Sequence, residues 1–113
     1  MIVRIYWGRI AAGALADIER VYRDYDVASV PGLLARFVSQ DLNDPDSIYV
    51  ITLWTDLDSV ERWVASDAYR ERITKPLKPF IVGAHSLSLS AVRVEDLAGL
   101  VAGRVPALPP AAP

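Results

Sequence analysis

The chain has 113 residues, no cysteine and a formal net charge of −2. This length favours one domain, because a domain commonly needs about 100 to 200 residues. Without cysteine there is no disulfide and no thiolate metal site, and we expect a reducing, cytoplasmic environment. The acidic balance argues against nucleic acid as a partner, because phosphate backbones attract basic surfaces. Residues 1–10 lack the long apolar run of a signal peptide or a membrane span.

The hydrophobic pattern predicts a first strand over residues 2–10 and a helix over residues 14–25. In the strand, Val3, Ile5 and Trp7 alternate with more polar neighbours, which is the period of a strand. In the helix, apolar residues recur at spacings of three and four: Leu15, Ile18, Tyr22 and Tyr25. We expect this stripe to pack against a sheet.

Two further strands are predicted over residues 33–40 and 48–54. The Asn-Asp-Pro-Asp run at 43–46 is a turn by composition and joins them. In the second strand, three residues are expected to share one face: Leu33, Ala35 and Phe37. The third strand is apolar almost throughout, which predicts a central strand covered on both faces.

A second helix is predicted to begin at Asp58, which forms a variant of the capping box with Glu61. Three apolar side chains of this helix are expected to face inward: Val60, Trp63 and Val64. Ser66 or Asp67 then starts a further helical piece. That piece must end near residue 75, because the prolines at 76 and 79 cannot continue a helix.

The fourth strand is predicted over residues 85–94, with His85, Leu87, Leu89 and Ala91 on one side. Residues 1–94 thus form the domain. Residues 95–113 are expected to form one helical turn, through Leu97, Leu100 and Val101, and then an extended tail rich in alanine and proline.

The order β, α, β, β, α, β is that of the ferredoxin-like, split βαβ plan. This α+β class has an antiparallel four-stranded sheet with the helices on one face. The second and third strands also offer apolar residues to the other face, which would leave a large apolar patch in water. We expect a second copy of the chain to cover that face, giving a homodimer in which two sheets form a barrel.

Four stretches of the chain resemble the antibiotic biosynthesis monooxygenase-like domains of the dimeric α+β barrel superfamily: residues 31–33, 37–40, 50–54 and 63–69. The most specific is the last, with Trp63, a serine three residues on and Tyr69 six residues on. The resemblance implies a dimeric barrel over about residues 2–94. The superfamily includes cofactor-free oxygenases of aromatic polyketides, haem-degrading enzymes, isomerases and members with no known activity.

Haem degradation is disfavoured residue by residue. Haem-degrading members share a tryptophan like Trp63, but they carry an asparagine on the first strand and a histidine ten residues after the tryptophan. This chain has Ile73 at that spacing, its one asparagine is Asn43 in a turn, and its one histidine is His85. Isoleucine cannot bind iron, although His85 from another element could.

The quinone-forming oxygenases are a closer match. They resemble the chain at Trp63 and Tyr69, whereas Ser59 stands where they have a polar amide. The resemblance implies reaction of a planar phenol, quinol or polyketide-like molecule with O₂, without a cofactor or metal. Candidate catalytic residues are Trp63, Tyr69 and His85, the last as a general base. Candidate substrate-binding residues are Tyr6, Trp7, Arg36, Phe37 and Ser59.

Each candidate also has a structural interpretation. Trp63 could be a packing anchor, and the hydroxyl of Tyr69 could bond a backbone carbonyl. His85 could be exposed or purely structural, and Arg36 could pair with a carboxylate rather than a ligand. Either Tyr6 or Trp7, which have opposite parity, can face a pocket. The second hypothesis is therefore a small-molecule-binding or structural barrel without turnover.

Overall fold

A computed structural model describes residues 1–96 of the chain. Within these residues the strands are β1 (Ile2–Ile10), β2 (Leu33–Gln40), β3 (Ser47–Trp54) and β4 (Ile81–Ala91). The helices are α1 (Leu15–Arg23), α2 (Leu57–Val64), α3 (Asp67–Tyr69) and α4 (Lys75–Leu77). A 3₁₀ turn (Val27–Ser29) precedes β2, and a π-helical turn (Arg70–Thr74) joins α3 to α4. No helix of residues 1–96 is long and apolar enough to cross a membrane.

The four strands form one antiparallel sheet in the order β2-β3-β1-β4. On β1, Arg4 lies between Thr52 of β3 and Leu89 of β4, and Gly8 faces His85 across the β1–β4 pair. Because cross-strand partners point to the same side of a sheet, this register places one parity of every strand on a common face. We call the face that packs against the helices the inner face.

The hydrophobic core lies between the inner face and the helices. Its three most deeply buried side chains are Ile18 of α1 and Ile48 and Trp54 of β3. The predicted stripe of α1 is confirmed, because Ile18, Tyr22 and Tyr25 are all buried, although the helix itself ends before Tyr25. The structure confirms the predicted ferredoxin-like α+β fold with an antiparallel four-stranded sheet.

The register of β2 corrects one prediction. Leu33 pairs with Trp54 and is buried on the inner face, but Ala35 pairs with Leu53, so the pairing shifts between Leu33 and Ala35. The extra residue of this β-bulge moves the following side chains to the opposite parity. Leu33 therefore does not share a face with Ala35 and Phe37.

The start of α2 was also predicted wrongly. Its N-terminal cap is Asp56, whose side chain accepts a hydrogen bond from the backbone N–H of Ser59 at 2.7 Å. The aspartate two residues later, Asp58, pairs instead with Arg62 on the exposed side of the helix. Val60 is buried as predicted, but Val64 is exposed.

The helical segment ends at Leu77, two residues after the predicted end near Lys75, and it passes through Pro76. Ser66 caps α3 through a bond from the backbone N–H of Tyr69, and the chain then widens into the π-helical turn. In that turn the N–H of Lys75 bonds to the carbonyl of Arg70, five residues back. Pro76 then lies in the first turn of α4, where a missing N–H removes no helical bond, so the helix runs on to residue 77.

The last strand is longer at its start than predicted and shorter at its end, because it begins at Ile81 and ends at Ala91. Its predicted parity is correct, since Leu87 and Leu89 pair with Tyr6 and Arg4 of the inner face. The predicted helical turn and the alanine- and proline-rich tail lie outside the described residues.

Candidate functional site

A cavity of about 490 Å³ lies between the inner face of the sheet and the helices. This volume is in the range of small-molecule sites. Its wall is dominated by aromatic side chains from both layers: Tyr6, Tyr22, Tyr25, Trp54, Trp63 and Tyr69. The remaining positions are a mixture of aliphatic and polar or charged residues, so the cavity suits a flat apolar molecule that carries a few polar groups.

Trp63 and Tyr69 form one wall and touch each other. Their ring centroids are 5.7 Å apart with the planes at 77°, an edge-to-face contact, and Tyr25 lies 5.9 Å from Trp63 on another side. Trp63 is in the last turn of α2, and Tyr69 is in α3 just after the Ser66 cap. The short break between the two helices therefore turns both aromatic side chains into one cavity.

Tyr6 and His85 form the wall on the sheet side. Their rings are stacked with centroids 6.0 Å apart. The Tyr6 ring lies along β1 over Gly8. A Cβ on Gly8 would stand only 2.7 Å from the Tyr6 hydroxyl oxygen, which is too close for a real contact. Gly8 thus creates the space that the Tyr6 ring occupies. The face of β1 that carries Arg4 and Tyr6, and not the face that carries Trp7, therefore lines the cavity.

Replacing Gly8 by alanine should force the Tyr6 ring out of this position. Because the ring is held between Gly8 and His85, we expect a loss of about 1–3 kcal/mol in the free energy of unfolding, measured by urea denaturation. In a Tyr6→Val background the same Gly8→Ala change should cost nothing. An equal cost in both backgrounds would contradict the proposed packing.

Arg4 is a cavity residue that the sequence analysis did not single out. Its guanidinium Nη2 donates to the hydroxyl oxygen of Tyr69 at 3.4 Å, and its Cζ lies 5.9 Å from the centre of the same ring. Alternation along β1 puts Arg4 on the same face as Tyr6 but does not say which face meets the helices, so the sequence carries no signal that singles out Arg4.

Arg36 lies on β2 and does not line the cavity. Its Nη2 donates to the backbone carbonyl oxygens of Tyr22 and Tyr25, and its Cζ lies 4.4 Å from the centre of the Tyr25 ring. These carbonyls end α1, where a cation is favourable to the helix dipole. Arg36 therefore ties the end of α1 to the sheet, in place of the carboxylate or ligand that the sequence suggested.

Three other predicted binding residues also lie away from the cavity. Trp7 and Phe37 have the opposite parity from Tyr6 and Arg36, so they are on the outer face of the sheet. Ser59 packs against Gly32, where a Cβ would stand 2.3 Å from the Ser59 hydroxyl oxygen. The structure therefore brings together Tyr6, Trp63, Tyr69 and His85 of the predicted set, and not Trp7, Arg36, Phe37 or Ser59.

Burial raises the pKa of three phenols of the cavity. It raises the pKa of Tyr6, and the neighbouring Tyr69 raises it further. Burial likewise raises the pKa of Tyr22 and of Tyr25, the latter against the lowering effect of Arg36. At neutral pH these side chains are therefore neutral, and their O–H groups can donate hydrogen bonds.

The position ten residues after Trp63 carries Ile73, which lines the cavity and is 5% exposed. An aliphatic side chain there offers no iron ligand. His85 lines the wall formed by the sheet. In residues 1–96 no three His, Asp or Glu side chains are grouped so that they could hold a metal ion.

Comparison with known proteins supports the resemblance found in the sequence. The family described as antibiotic biosynthesis monooxygenase matches residues 1–75. Protein SchA of Streptomyces halstedii is 31% identical over 105 residues; this match covers 89% of the chain but only 27% of SchA. The chain therefore spans about a quarter of the length of this curated relative.

Solved structures share the fold at lower identity. SnoaB, a cofactor-independent oxygenase from Streptomyces nogalater, has a TM-score of 0.64 and 21% identity, covering 82% of this chain and 94% of SnoaB. A conserved protein from Methanosarcina mazei Go1 has a TM-score of 0.70 and 14% identity, covering 82% of this chain and 94% of that protein. These two likenesses concern the fold, whereas the family match covers most of the sequence. The chain belongs to the antibiotic biosynthesis monooxygenase family.

Proposed function

We propose that the protein is a cytoplasmic, homodimeric monooxygenase that needs no cofactor and acts on a planar aromatic phenol, quinol or polyketide-like molecule. The observation that carries the proposal is the cavity of about 490 Å³ between sheet and helices, in which Trp63 and Tyr69 meet edge to face. It supports a flat substrate held between rings, with N–H and O–H donors at its edge. The family supports the oxygenase chemistry.

The chemistry requires a substrate that can itself reduce O₂. A phenol with an acidic CH₂ group loses a proton, and the resulting anion gives one electron to O₂. The substrate radical and superoxide then combine to a peroxide at that carbon. Loss of water from the peroxide breaks its O–O bond and one C–H bond and leaves a carbonyl. One oxygen atom of O₂ is thus in the product and the other is in water.

In this proposal the protein orients the substrate and stabilises its anions. The indole N–H of Trp63 and the hydroxyl of Tyr69 are donors that can stabilise the negative oxygen of the phenolate and of the peroxide. His85, which lines the cavity and stacks on Tyr6, is placed to accept the substrate proton.

The outer face of the sheet supports the homodimer. Trp7, Ile5 and Ile51 face outward, and Phe37 beside them is 52% exposed in the single chain. An apolar face of this kind is stable in water only when another surface covers it. The same face of a second copy would be complementary in chemistry, because a two-fold interface uses one patch twice.

Oxygen uptake with dithranol, a planar dihydroxyanthrone with an acidic CH₂, tests the function. We expect the protein to consume O₂ faster than buffer alone and to form the dihydroxyanthraquinone, one molecule per O₂. Trp63→Phe removes one donor but keeps a ring, and it should lower the rate about 100-fold, the usual effect of losing one such donor.

The matched control is Ser29→Ala, which removes one hydroxyl donor from an exposed side chain away from both the cavity and the outer face and should leave uptake unchanged. Circular dichroism and a thermal melt of each variant establish that it is folded. If Trp63→Phe is folded and keeps the full rate, Trp63 has no part in the chemistry. Binding of dithranol without any O₂ uptake would favour the second candidate, a binding barrel without turnover, which the aromatic packing of Trp63 also allows.

A further inference from the structure

We propose that Arg4 is the anion-binding residue of the cavity, so that the cavity takes its aromatic ligand as an anion, with one negative oxygen placed between Arg4 and Tyr69. The ligand class is an aromatic molecule that carries an ionised phenol or a carboxylate. The inference rests on the proposed function in that it concerns the same cavity. It adds the charge state of the ligand and the residue that selects it.

The first argument is that the Arg4 guanidinium is incompletely bonded by the protein. Its Nε is buried and has no hydrogen-bond partner within residues 1–96. Among the described residues its one side-chain hydrogen bond is the long bond of 3.4 Å from Nη2 to the Tyr69 hydroxyl oxygen. Guanidinium has five N–H donors, and a buried donor left without a partner costs about 1–3 kcal/mol. An anion in the cavity would satisfy these donors.

The comparison with Arg36 strengthens the argument. Both arginines are on the inner face of the sheet, on β1 and β2 respectively. Arg36 donates to the carbonyl oxygens of Tyr22 and Tyr25 and lies against both of their rings. Arg36 also leaves one buried donor, Nη1, without a partner within residues 1–96, but it does not line the cavity. Arg4 does line the cavity, and its side-chain hydrogen bond within those residues goes to another cavity side chain.

The second argument is the charge of the wall. Two cations, Arg4 and Lys78, line the cavity together with the titratable His85, and no Asp or Glu of residues 1–96 does. The attraction between these cations and an anion is stronger in the cavity than it would be in bulk water, because the effective dielectric constant is lower beside an apolar wall. Tyr6, Tyr22, Tyr25 and Tyr69 are the other titratable groups of the wall.

The third argument is the direction of the Tyr69 bond. The Tyr69 oxygen accepts a hydrogen from Arg4, so its own O–H remains available as a donor. A donor that already accepts a bond from a cation is polarised and binds anions better. Arg4 and Tyr69 together thus offer a cation and a neutral O–H to the same ligand oxygen.

For the proposed reaction, anion binding would increase the population of the reactive species, the ionised substrate. The phenolate, not the neutral phenol, passes an electron to O₂ in the proposed chemistry. A cavity that prefers the anion lowers the pKa of the bound phenol and increases the ionised fraction at neutral pH. A neutral aromatic of the same shape should bind, but more weakly.

The test uses a nitronaphthol, 4-nitro-1-naphthol, whose anion absorbs visible light at wavelengths where the neutral form does not. Its absorbance is titrated against pH with and without saturating protein, and no turnover is needed. We expect the pKa of the bound probe to fall by at least one unit, which corresponds to anion binding at least tenfold tighter than binding of the neutral form. Arg4→Gln should abolish this shift.

Two further variants control the experiment. Arg4→Lys keeps the charge and should retain part of the shift, which distinguishes an electrostatic role from packing. Lys78→Gln removes a cation from an exposed side chain of the same wall and should retain most of the shift. A wild-type protein that leaves the probe pKa unchanged or raises it overturns the inference, whether or not the variants fold. So does a folded Arg4→Gln protein with the full wild-type shift.

The two proposals fail in different ways. A pKa shift of the probe without O₂ uptake from dithranol would support the anion site and contradict the oxygenase. Uptake of O₂ without a shift would support the oxygenase and contradict the anion site. The probe is bound and not consumed, so neither result depends on the other.

Discussion

Replacing Trp54 by alanine is expected to lower the free energy of unfolding by about 3–5 kcal/mol. Trp54 is 1% exposed and lies at the end of β3 beneath the helices, where its indole N–H donates to the hydroxyl oxygen of Thr52 at 2.9 Å. Alanine would leave a cavity next to the existing one and would remove the partner of the buried Thr52 hydroxyl. Since small domains are commonly stable by about 5–15 kcal/mol, this is a large share of the total.

Urea unfolding followed by circular dichroism, at one fixed protein concentration, measures the effect of Trp54→Ala. The fixed concentration is needed because dimer formation adds to stability by mass action. Leu42→Ala is the control, because Leu42 is 100% exposed in the turn after β2, and its replacement should change stability by less than about 0.5 kcal/mol. A loss below about 1 kcal/mol for Trp54→Ala would contradict its place at the centre of the core.

Replacing Ile51 by glutamate is expected to dissociate the proposed homodimer. Ile51 is near the middle of the outer face, paired with Ile5 on one side and Phe37 on the other. In a two-fold interface the substitution buries two carboxylates without partners, and each unpaired buried charge costs about 3–5 kcal/mol. The dissociation constant should therefore rise by at least about 100-fold, since 1.4 kcal/mol corresponds to tenfold.

Sedimentation velocity over a dilution series measures this change. Ala16→Glu adds the same charge on the exposed side of α1 and should leave the dimer intact. Ile51→Glu should still fold as a single chain, because the side chain points away from the core between sheet and helices. A wild-type chain that sediments as a compact monomer at dilute concentration would contradict the homodimer altogether.

Prolines, caps and bulges explain where the predicted element bounds differ from the structure. The prolines at 76 and 79 predicted a helix end near residue 75, but a π-helical turn places Pro76 where no N–H is needed. Asp56 and Asp58 are both acceptable N-caps by residue type, and only the extended backbone at Asp56 decides between them. The bulge in β2 is invisible to alternation, because it depends on pairing with β3.

The candidate site, too, was only partly predictable from the sequence. Trp63 and Tyr69 lie in one cavity because the Ser66 cap between α2 and α3 fixes their relative position, which their spacing in the sequence did not by itself show. Arg4 was missed and Trp7 was included because a strand pattern shows two faces without saying which of them meets the helices. Arg36 was predicted to bind a carboxylate or a ligand because it is a charge among apolar residues. Its partners are instead backbone carbonyl oxygens, and a sequence does not show which carbonyls lie near a side chain.

By itself, the amino-acid sequence determined the element order, the α+β class, the buried stripe of α1 and the family, because hydrophobic periodicity and a short local motif are properties of neighbouring residues. Only the tertiary structure decided which face of β1 lines the cavity, that Gly8 makes room for Tyr6, and that Arg4 rather than Arg36 borders the site. These depend on strand register and helix placement, which bring together residues far apart along the chain.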